Sequence, residues 1–180
     1  MTLFFWKTRQ FHQALEGQWQ DLNRVAYAWC HDPHLAKDLV QETMARACRH
    51  QDKLAQYESF TPWLFKVMAN CWRDHLRRGR DTVTIDSVEI AHNATPEADN
   101  EKTHLIQRLH QALAQLNMEH RQVITLIDLQ ELSYREVADV LDIPIGTVMS
   151  RVCRGRQQLR QLLHDLEVSQ ITSPNVWRVK

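Results

Sequence analysis

From Leu132 to Arg156 the chain reads Leu-Ser-Tyr-Arg-Glu-Val-Ala-Asp-Val-Leu-Asp-Ile-Pro-Ile-Gly-Thr-Val-Met-Ser-Arg-Val-Cys-Arg-Gly-Arg. That order constrains the fold more tightly than any other stretch. Ser133 followed by Glu136 is a capping box: the serine hydroxyl accepts from the Glu136 amide, and the carboxylate returns to the Ser133 amide, so a helix starts there. Asp142-Ile-Pro144 breaks it, and apolar residues resume at helical spacing. At about 100° per residue, Val148, Val152, Gly155 and Leu159 fall on one arc, and Thr147, Ser150, Arg151, Arg154, Gln157 and Gln158 on the opposite one. Ile145 to Arg160 holds Arg151, Arg154, Arg156 and Arg160 with no carboxylate. Two short helices about a tight turn, the second basic, predict a helix-turn-helix that meets DNA.

The rest of the chain is helical by the same test. Only four glycines are present, and no run alternates in the manner of a strand, so the expected class is all-α. A first helix is predicted from about Thr8 to Cys30. Asp32-Pro33 supplies an N-cap and a first-turn proline for a second, ending near Arg49. Thr61-Pro62 opens a third, expected to stop at Gly79, since glycine tolerates the left-handed conformation that ends helices. From Asp81 to about Asn100 the pattern dissolves into polar residues and Pro96, and it resumes at Leu105, Leu109, Leu113 and Leu116. This divides the chain into a helical domain over 1–80, a linker over 81–101, a second helical domain over 102–168, and a tail over 169–180.

Charge matters here through its distribution. The net charge is zero, from 22 basic and 22 acidic residues, yet residues 81–101 carry six acids and no base. Two slightly basic blocks therefore flank an acidic strip, and the overall balance does not argue against nucleic acid. Cys30, Cys48, Cys71 and Cys153 form no CxxC pair, which argues against a disulfide framework or a ribbon-type zinc site. Cys30, His31 and His34 are the nearest approach to a metal or redox sensor, and Pro33 interrupts the helix they would share. No metal, cofactor or catalytic residue is expected, because no nucleophile, base or ligand set has motif-grade spacing. No apolar run approaches the roughly 20 residues that span a bilayer, so no membrane insertion and a cytoplasmic location are expected.

A second basic surface lies on the third helix. Leu64, Phe65, Val67, Met68, Ala69, Cys71, Trp72 and Leu76 form a wide apolar arc, with Trp72 expected in the core and His75 on the same arc as a satisfied core histidine. Lys66, Asn70, Arg73 and Arg77 share a narrow stripe opposite. Phe60 and Trp63 stand at its head, where aromatic rings beside a basic track suit the stacking of unpaired bases. An ordinary solvated helix face explains the stripe equally well.

Three segments in order, Asp38-Leu-Val-Gln-Glu-Thr-Met-Ala-Arg-Ala47, Phe60 to Arg78, and Leu132 to Arg156, resemble bacterial sigma factors of the extracytoplasmic-function group. The likeness covers roughly residues 8–79 and 102–166. It implies a sigma2-like domain that binds the −10 element and a sigma4-like helix-turn-helix domain that binds the −35 element. Both would grip core RNA polymerase, at the clamp helices of the largest subunit and in the flap region. The resemblance assigns Asp38, Gln41 and Glu42 to the clamp helices. It assigns Ser59, Phe60 and Thr61 to a flipped base of the non-template strand, with Lys66, Asn70, Arg73 and Arg77 beside it. Thr147, Ser150, Arg151, Arg154 and Gln158 would meet the −35 element. The acidic linker would thread the polymerase cleft, and an anti-sigma factor is a further partner of such proteins. The implied activity is promoter-specific initiation as a specificity subunit, not an enzyme in its own right.

Three positions depart from the family pattern: Asp142 stands at a turn where glycine is usual, Met149 where lysine is common, and Gly155 where alanine is. Asp142 is expected to adopt the left-handed conformation with some strain. Met149 is expected to lack a phosphate contact, and Gly155 to loosen the recognition helix by up to about 1 kcal/mol. The competing reading is a dimeric helix-turn-helix regulator of duplex operators, which has no need of the segments Asp38 to Ala47 and Phe60 to Arg78.

Overall fold

The computed structural model describes residues 2–51, 54, 59–82 and 101–172, with side-chain surroundings for 9–51, 54, 59–79 and 105–165. The helices are α1 (Thr2–Gly17), α2 (Trp19–Cys30), α3 (Pro33–Arg49), α4 (Phe60–Thr82), α5 (Glu101–Gln115), α6 (Met118–Ile124), α7 (Tyr134–Leu141) and α8 (Ile145–Thr172). A wider turn of π-helical pitch, Thr125–Leu129, continues α6. No strand occurs among the described residues, so the all-α expectation holds. Most of the linker, 83–100, lies outside the described residues, as does the tail beyond Thr172; α8 itself runs four residues past the expected domain end.

Local signals place most of the boundaries. His31 takes the left-handed conformation (φ 55°) and donates its N–H to Tyr27 O, which ends α2. Asp32 then accepts from the amides of His34 (2.7 Å) and Leu35 (3.0 Å), and Pro33 opens α3. These bonds to the ionised carboxylate hold Asp32 below the ordinary acid range. The capping box of α7 is present in both directions, at 2.8 and 3.2 Å. Asp142 follows at φ 59°, its N–H on Ala138 O, so the turn survives without glycine.

Two expected boundaries are wrong. The single helix from Thr8 to Cys30 is two helices, broken at Gly17–Gln18. The break turns Phe11 of α1 onto Phe60 and Trp63 at ring distances of 5.7 and 6.1 Å. Burial of that aromatic cluster outweighs one more turn of continuous helix, which glycine already disfavours. Conversely, Gly79 does not end α4, which continues to Thr82. Its φ is not positive, so it keeps the helical conformation at a propensity cost of about 1 kcal/mol.

The core runs through both halves of the chain. Leu22, Val25 and Trp29 of α2, Val40 of α3 and Leu64, Phe65 and Met68 of α4 are fully buried, together with Val123, Leu126, Val137, Val140 and Val148 from the second half. All belong to one contiguous cluster. Within the first half α3 packs against α2 and α4; within the second α8 packs against α5, α6 and α7. Across the halves α2 meets α6 and the Thr125–Leu129 turn, and α4 lies on α7. The two expected domains are thus closed onto each other.

Candidate nucleic-acid interface

The outer face of α8 is set by its inner one. Val148, Val152 and Gly155 are buried, which turns Ser150 and Arg154 outward to an exposed position and leaves Thr147 at the edge. Gly155 owes its place to packing. A Cβ there would stand 2.7 Å from Ile124 Cδ1 and 3.1 Å from His120 Cβ, so the glycine lets α8 approach α6 closely rather than merely loosening the helix.

The four arginines of this helix are not equivalent. Arg151 pairs with Glu119 at 2.9 Å, its side chain only 22% exposed. Arg156 makes a two-pronged pair with Asp128 at 3.2 and 2.5 Å, which raises its pKa. Gln158 Oε1 lies 3.3 Å from His120 Nδ1, and Ser150 Oγ donates to Thr147 O. Arg154 is exposed and unpaired among the described residues. The field over the recognition face is therefore narrower than the sequence suggests, and it centres on Arg154.

On α4 the stripe forms as expected in position. Asn70, Arg73 and Arg77 are exposed and Lys66 half-buried. Arg73 Nη2 donates to Asn70 Oδ1 at 2.6 Å, and Arg77 pairs with Asp74 at 3.1 Å. Asp74 is also gripped by Arg46 of α3 at 2.7 Å, and that guanidinium holds its carboxyl below the usual range. Ser59 is exposed and Thr61 half-buried at the head of the helix. Trp63 is a correction: it is 2% exposed, packed edge-on against Phe11 and tilted against Phe60 at 5.8 Å. Its ring serves the core, and no base can stack on it. Phe60 is half-buried in the same cluster. Trp72 is in the core, with His75 stacked on it at 5.5 Å.

Along α3, Asp38 and Gln41 are exposed while Glu42 is held by Arg46 at 2.6 Å and Arg49 at 3.8 Å. A cleft between α3 and α4 is lined by Leu35, Asp38, Leu39, Glu42, Cys71, His75 and Arg78. Cys30 Sγ donates to Ala26 O at 3.1 Å, and among the described residues no three His, Cys, Asp or Glu side chains converge as metal ligands. No helix among them is long and apolar enough to cross a membrane.

The residue most easily missed in the sequence is Arg121. It is 7% exposed and donates to Trp29 O (3.0 Å), Ala114 O (2.8 Å) and Leu116 O (2.6 Å). It thus ties the last turn of α2 to the α5–α6 corner, satisfying carbonyls that a helix end leaves open. Burial lowers its pKa. The available signal was register: three and four residues before Ile124 and Thr125, Arg121 lies on the apolar arc of α6.

Comparisons with known proteins match both halves of the chain. Residues 20–82 match the family described as Sigma-70 region 2, and residues 106–159 match Sigma-70, region 4. Among curated relatives, the ECF RNA polymerase sigma factor SigW of Bacillus subtilis is 30% identical over 155 residues, covering 79% of this chain and 83% of that protein. The ECF RNA polymerase sigma factor SigE of Mycolicibacterium smegmatis is 35% identical over 174 residues, covering 88% and 67%. The sigma factor RpoE of Bartonella quintana, solved in complex with the anti-sigma factor NepR, superposes with a TM-score of 0.70 at 31% identity, covering 87% of this chain and 98% of that one.

Proposed function

The chain belongs to the extracytoplasmic-function group of the sigma-70 family, and from that membership we infer that it is an alternative sigma factor directing RNA polymerase to specific promoters. Core RNA polymerase and promoter DNA are its partners. It supplies specificity and strand capture to an enzyme whose chemistry resides elsewhere. The observation that carries this reading is the joint presence, in family order, of an outward basic face on α8 and a cationic stripe on α4.

We assign the individual contacts as follows. Residues 1–80 form the −10 and core-binding domain, 102–168 the −35 domain, and 81–101 the linker between them. Asp38, Gln41 and Glu42 on α3 face the clamp helices, with Arg46 and Arg49 orienting Glu42. Ser59, Phe60 and Thr61 hold an unpaired base, and Lys66, Asn70, Arg73 and Arg77 track the strand phosphates; flipping a base costs a few kcal/mol that these contacts offset. Thr147, Ser150, Arg154 and Gln158 dock in the −35 major groove, with Arg151 available once Glu119 lets it go.

Length supports a reading of how the two halves are used. Elements nominally at −10 and −35 are roughly 25 base pairs apart, which is about 85 Å of duplex at about 3.4 Å per pair. A compact chain of this size has a radius of gyration of about 16 Å. The closed arrangement, with α4 on α7 and α2 on α6, is too short to engage both elements. It is the free form, and polymerase opens it by seating the two halves separately. A relative solved in complex with an anti-sigma factor supports such a protein as a further partner of this chain.

Transcription with purified core polymerase on genomic templates tests the reading. Initiation from a defined set of promoters is expected only when the chain is added. Tight binding of duplex sites by the chain alone, with no initiation on any template, would replace it with a helix-turn-helix regulator.

A further inference from the structure

The outward face of α8 carries two edges of opposite character. Ser150 and Arg154, four residues apart, form a polar edge, and Met149 and Cys153, at the same spacing one residue earlier, form an apolar edge beside it. Met149 is 59% exposed and Ile145, one turn before it, 48%; Cys153 is exposed as well. No cation interrupts Ile145, Met149 and Cys153 along that line. A large apolar side chain held in water at the head of a DNA-docking helix calls for an apolar counterpart.

The major groove offers one. Phosphates and the hydrogen-bonding edges of the bases are polar, and the C5-methyl of thymine is the apolar group that a base pair presents there. Methionine is unbranched and polarisable, so its thioether can settle over a methyl without a preformed pocket. Ser150 and Arg154 are each one residue, about 100°, round the helix from Met149 and Cys153, and all four are exposed, so a helix seated through Arg154 carries the apolar edge along the side of the same contact.

We propose that Met149, supported by Cys153, reads the C5-methyl of thymine in the −35 element, next to the base step met by Ser150 and Arg154. This rests on the docking of α8 in that major groove. It gives Met149 a positive role where the family pattern suggested only a missing phosphate contact, and it makes thymine at that step a preference of this chain's promoters.

The test uses holoenzyme assembled from the full chain and core polymerase, on a promoter from which it initiates. Each thymine of the −35 element is replaced in turn by deoxyuridine, which removes the methyl and leaves base pairing intact. Affinity should fall about fourfold at one or two positions, the transfer value of a single methyl group, and should be unchanged elsewhere. Met149→Ala should abolish that difference and bind both promoters like wild type on deoxyuridine; Met149→Leu should keep it. Both variants alter an exposed side chain, and matching far-UV circular dichroism confirms that they fold. Indifference of the wild type to every replacement, or undiminished sensitivity in Met149→Ala, overturns the proposal. So does loss of core binding in Met149→Ala without methyl sensitivity, which would make the apolar edge a polymerase contact. If instead scrambling the whole −35 element or Arg154→Ala leaves affinity unchanged, the docking of α8 itself is what fails.

Discussion

Trp29 and Thr125, 96 residues apart, share a buried hydrogen bond in which the indole Nε1 donates to the threonine hydroxyl at 2.8 Å. The hydroxyl itself donates to Arg121 O at 2.9 Å or Gln122 O at 3.1 Å. Arg121 in turn holds Trp29 O, so α2 is fastened to α6 from both ends of one residue. Nothing about α2 or α6 taken alone announces this. It closes the two halves of the molecule onto each other.

Thr125→Val keeps the shape of the site and removes the acceptor, leaving a buried indole N–H without a partner. The expected loss is about 1–3 kcal/mol, seen as a lower urea midpoint. Because the contact lies between the halves, the variant should also show a larger radius of gyration in small-angle scattering. An unchanged radius together with the full loss of stability would mean that other contacts keep the halves together unaided.

Gly155→Ala sets two effects of opposite sign against each other. Alanine gains up to about 1 kcal/mol of helix propensity, but its Cβ meets Ile124 Cδ1 at 2.7 Å and His120 Cβ at 3.1 Å. The isoleucine tip can rotate, whereas the His120 Cβ moves only with its helix, and overpacking of this kind costs about 1–3 kcal/mol. The net expectation is a destabilisation of about 1 kcal/mol. Ile124→Val removes Cδ1, so the double variant should lose less than the sum of the single losses in a thermodynamic cycle. Additive losses would show that the clash is relieved elsewhere.

Local signals in the sequence proved sufficient where one residue acts on its own backbone. Asp32-Pro33, the Ser133 and Glu136 box and the left-handed Asp142 all do what their chemistry dictates within a few residues. The misreadings share a cause at the opposite range. Gly17 breaks a helix and Gly79 does not: the first break brings Phe11 onto Trp63, whereas Gly79 keeps a helical φ and α4 runs on to Thr82. Trp63, expected at the surface, is buried against Phe11 and Phe60, and Arg121 is buried on the carbonyls of Trp29, Ala114 and Leu116, since partners in other elements decided each. The α4 stripe and the α8 face could be located from periodicity alone. That Arg151 and Arg156 are already paired could not, because Glu119 and Asp128 reach them across the fold.

Acid should loosen the closed form through His110. Its ring lies 5.1 Å from Tyr27 across the α2–α5 contact, its Nδ1 is buried without a partner, and burial pushes its pKa below the ordinary 6.5. The unfolded chain therefore takes up the proton first as pH falls. Stability contributed by the neutral ring is complete above about 6.5 and declines through the interval down to the folded pKa. His110→Phe retains the ring contact and removes the titration. The difference between urea midpoints at about pH 7.5 and about pH 5.5 should shrink in this variant; an undiminished difference would assign the acid sensitivity to other histidines.

Arg154 and Arg151 should differ in what they contribute to the −35 contact, although helical periodicity sets both on one face. Arg154 is exposed and unpaired among the described residues, so Arg154→Ala should weaken the element by about 1–3 kcal/mol if it grips a base bidentately, and selectively at one position. Arg151 must first give up Glu119 at 2.9 Å, and the carboxylate it leaves behind faces the DNA phosphates. Arg151→Ala should therefore cost less than about 1 kcal/mol, the range of a partly exposed pair. Glu119→Gln releases the guanidinium and removes a negative charge beside the duplex. It should tighten binding and steepen the salt dependence by about one ion's worth, near 0.9 in the logarithmic slope. Equal losses for both arginines, with Glu119→Gln neutral, would show instead that DNA breaks the ion pair at no net cost, and that the two residues act alike after all.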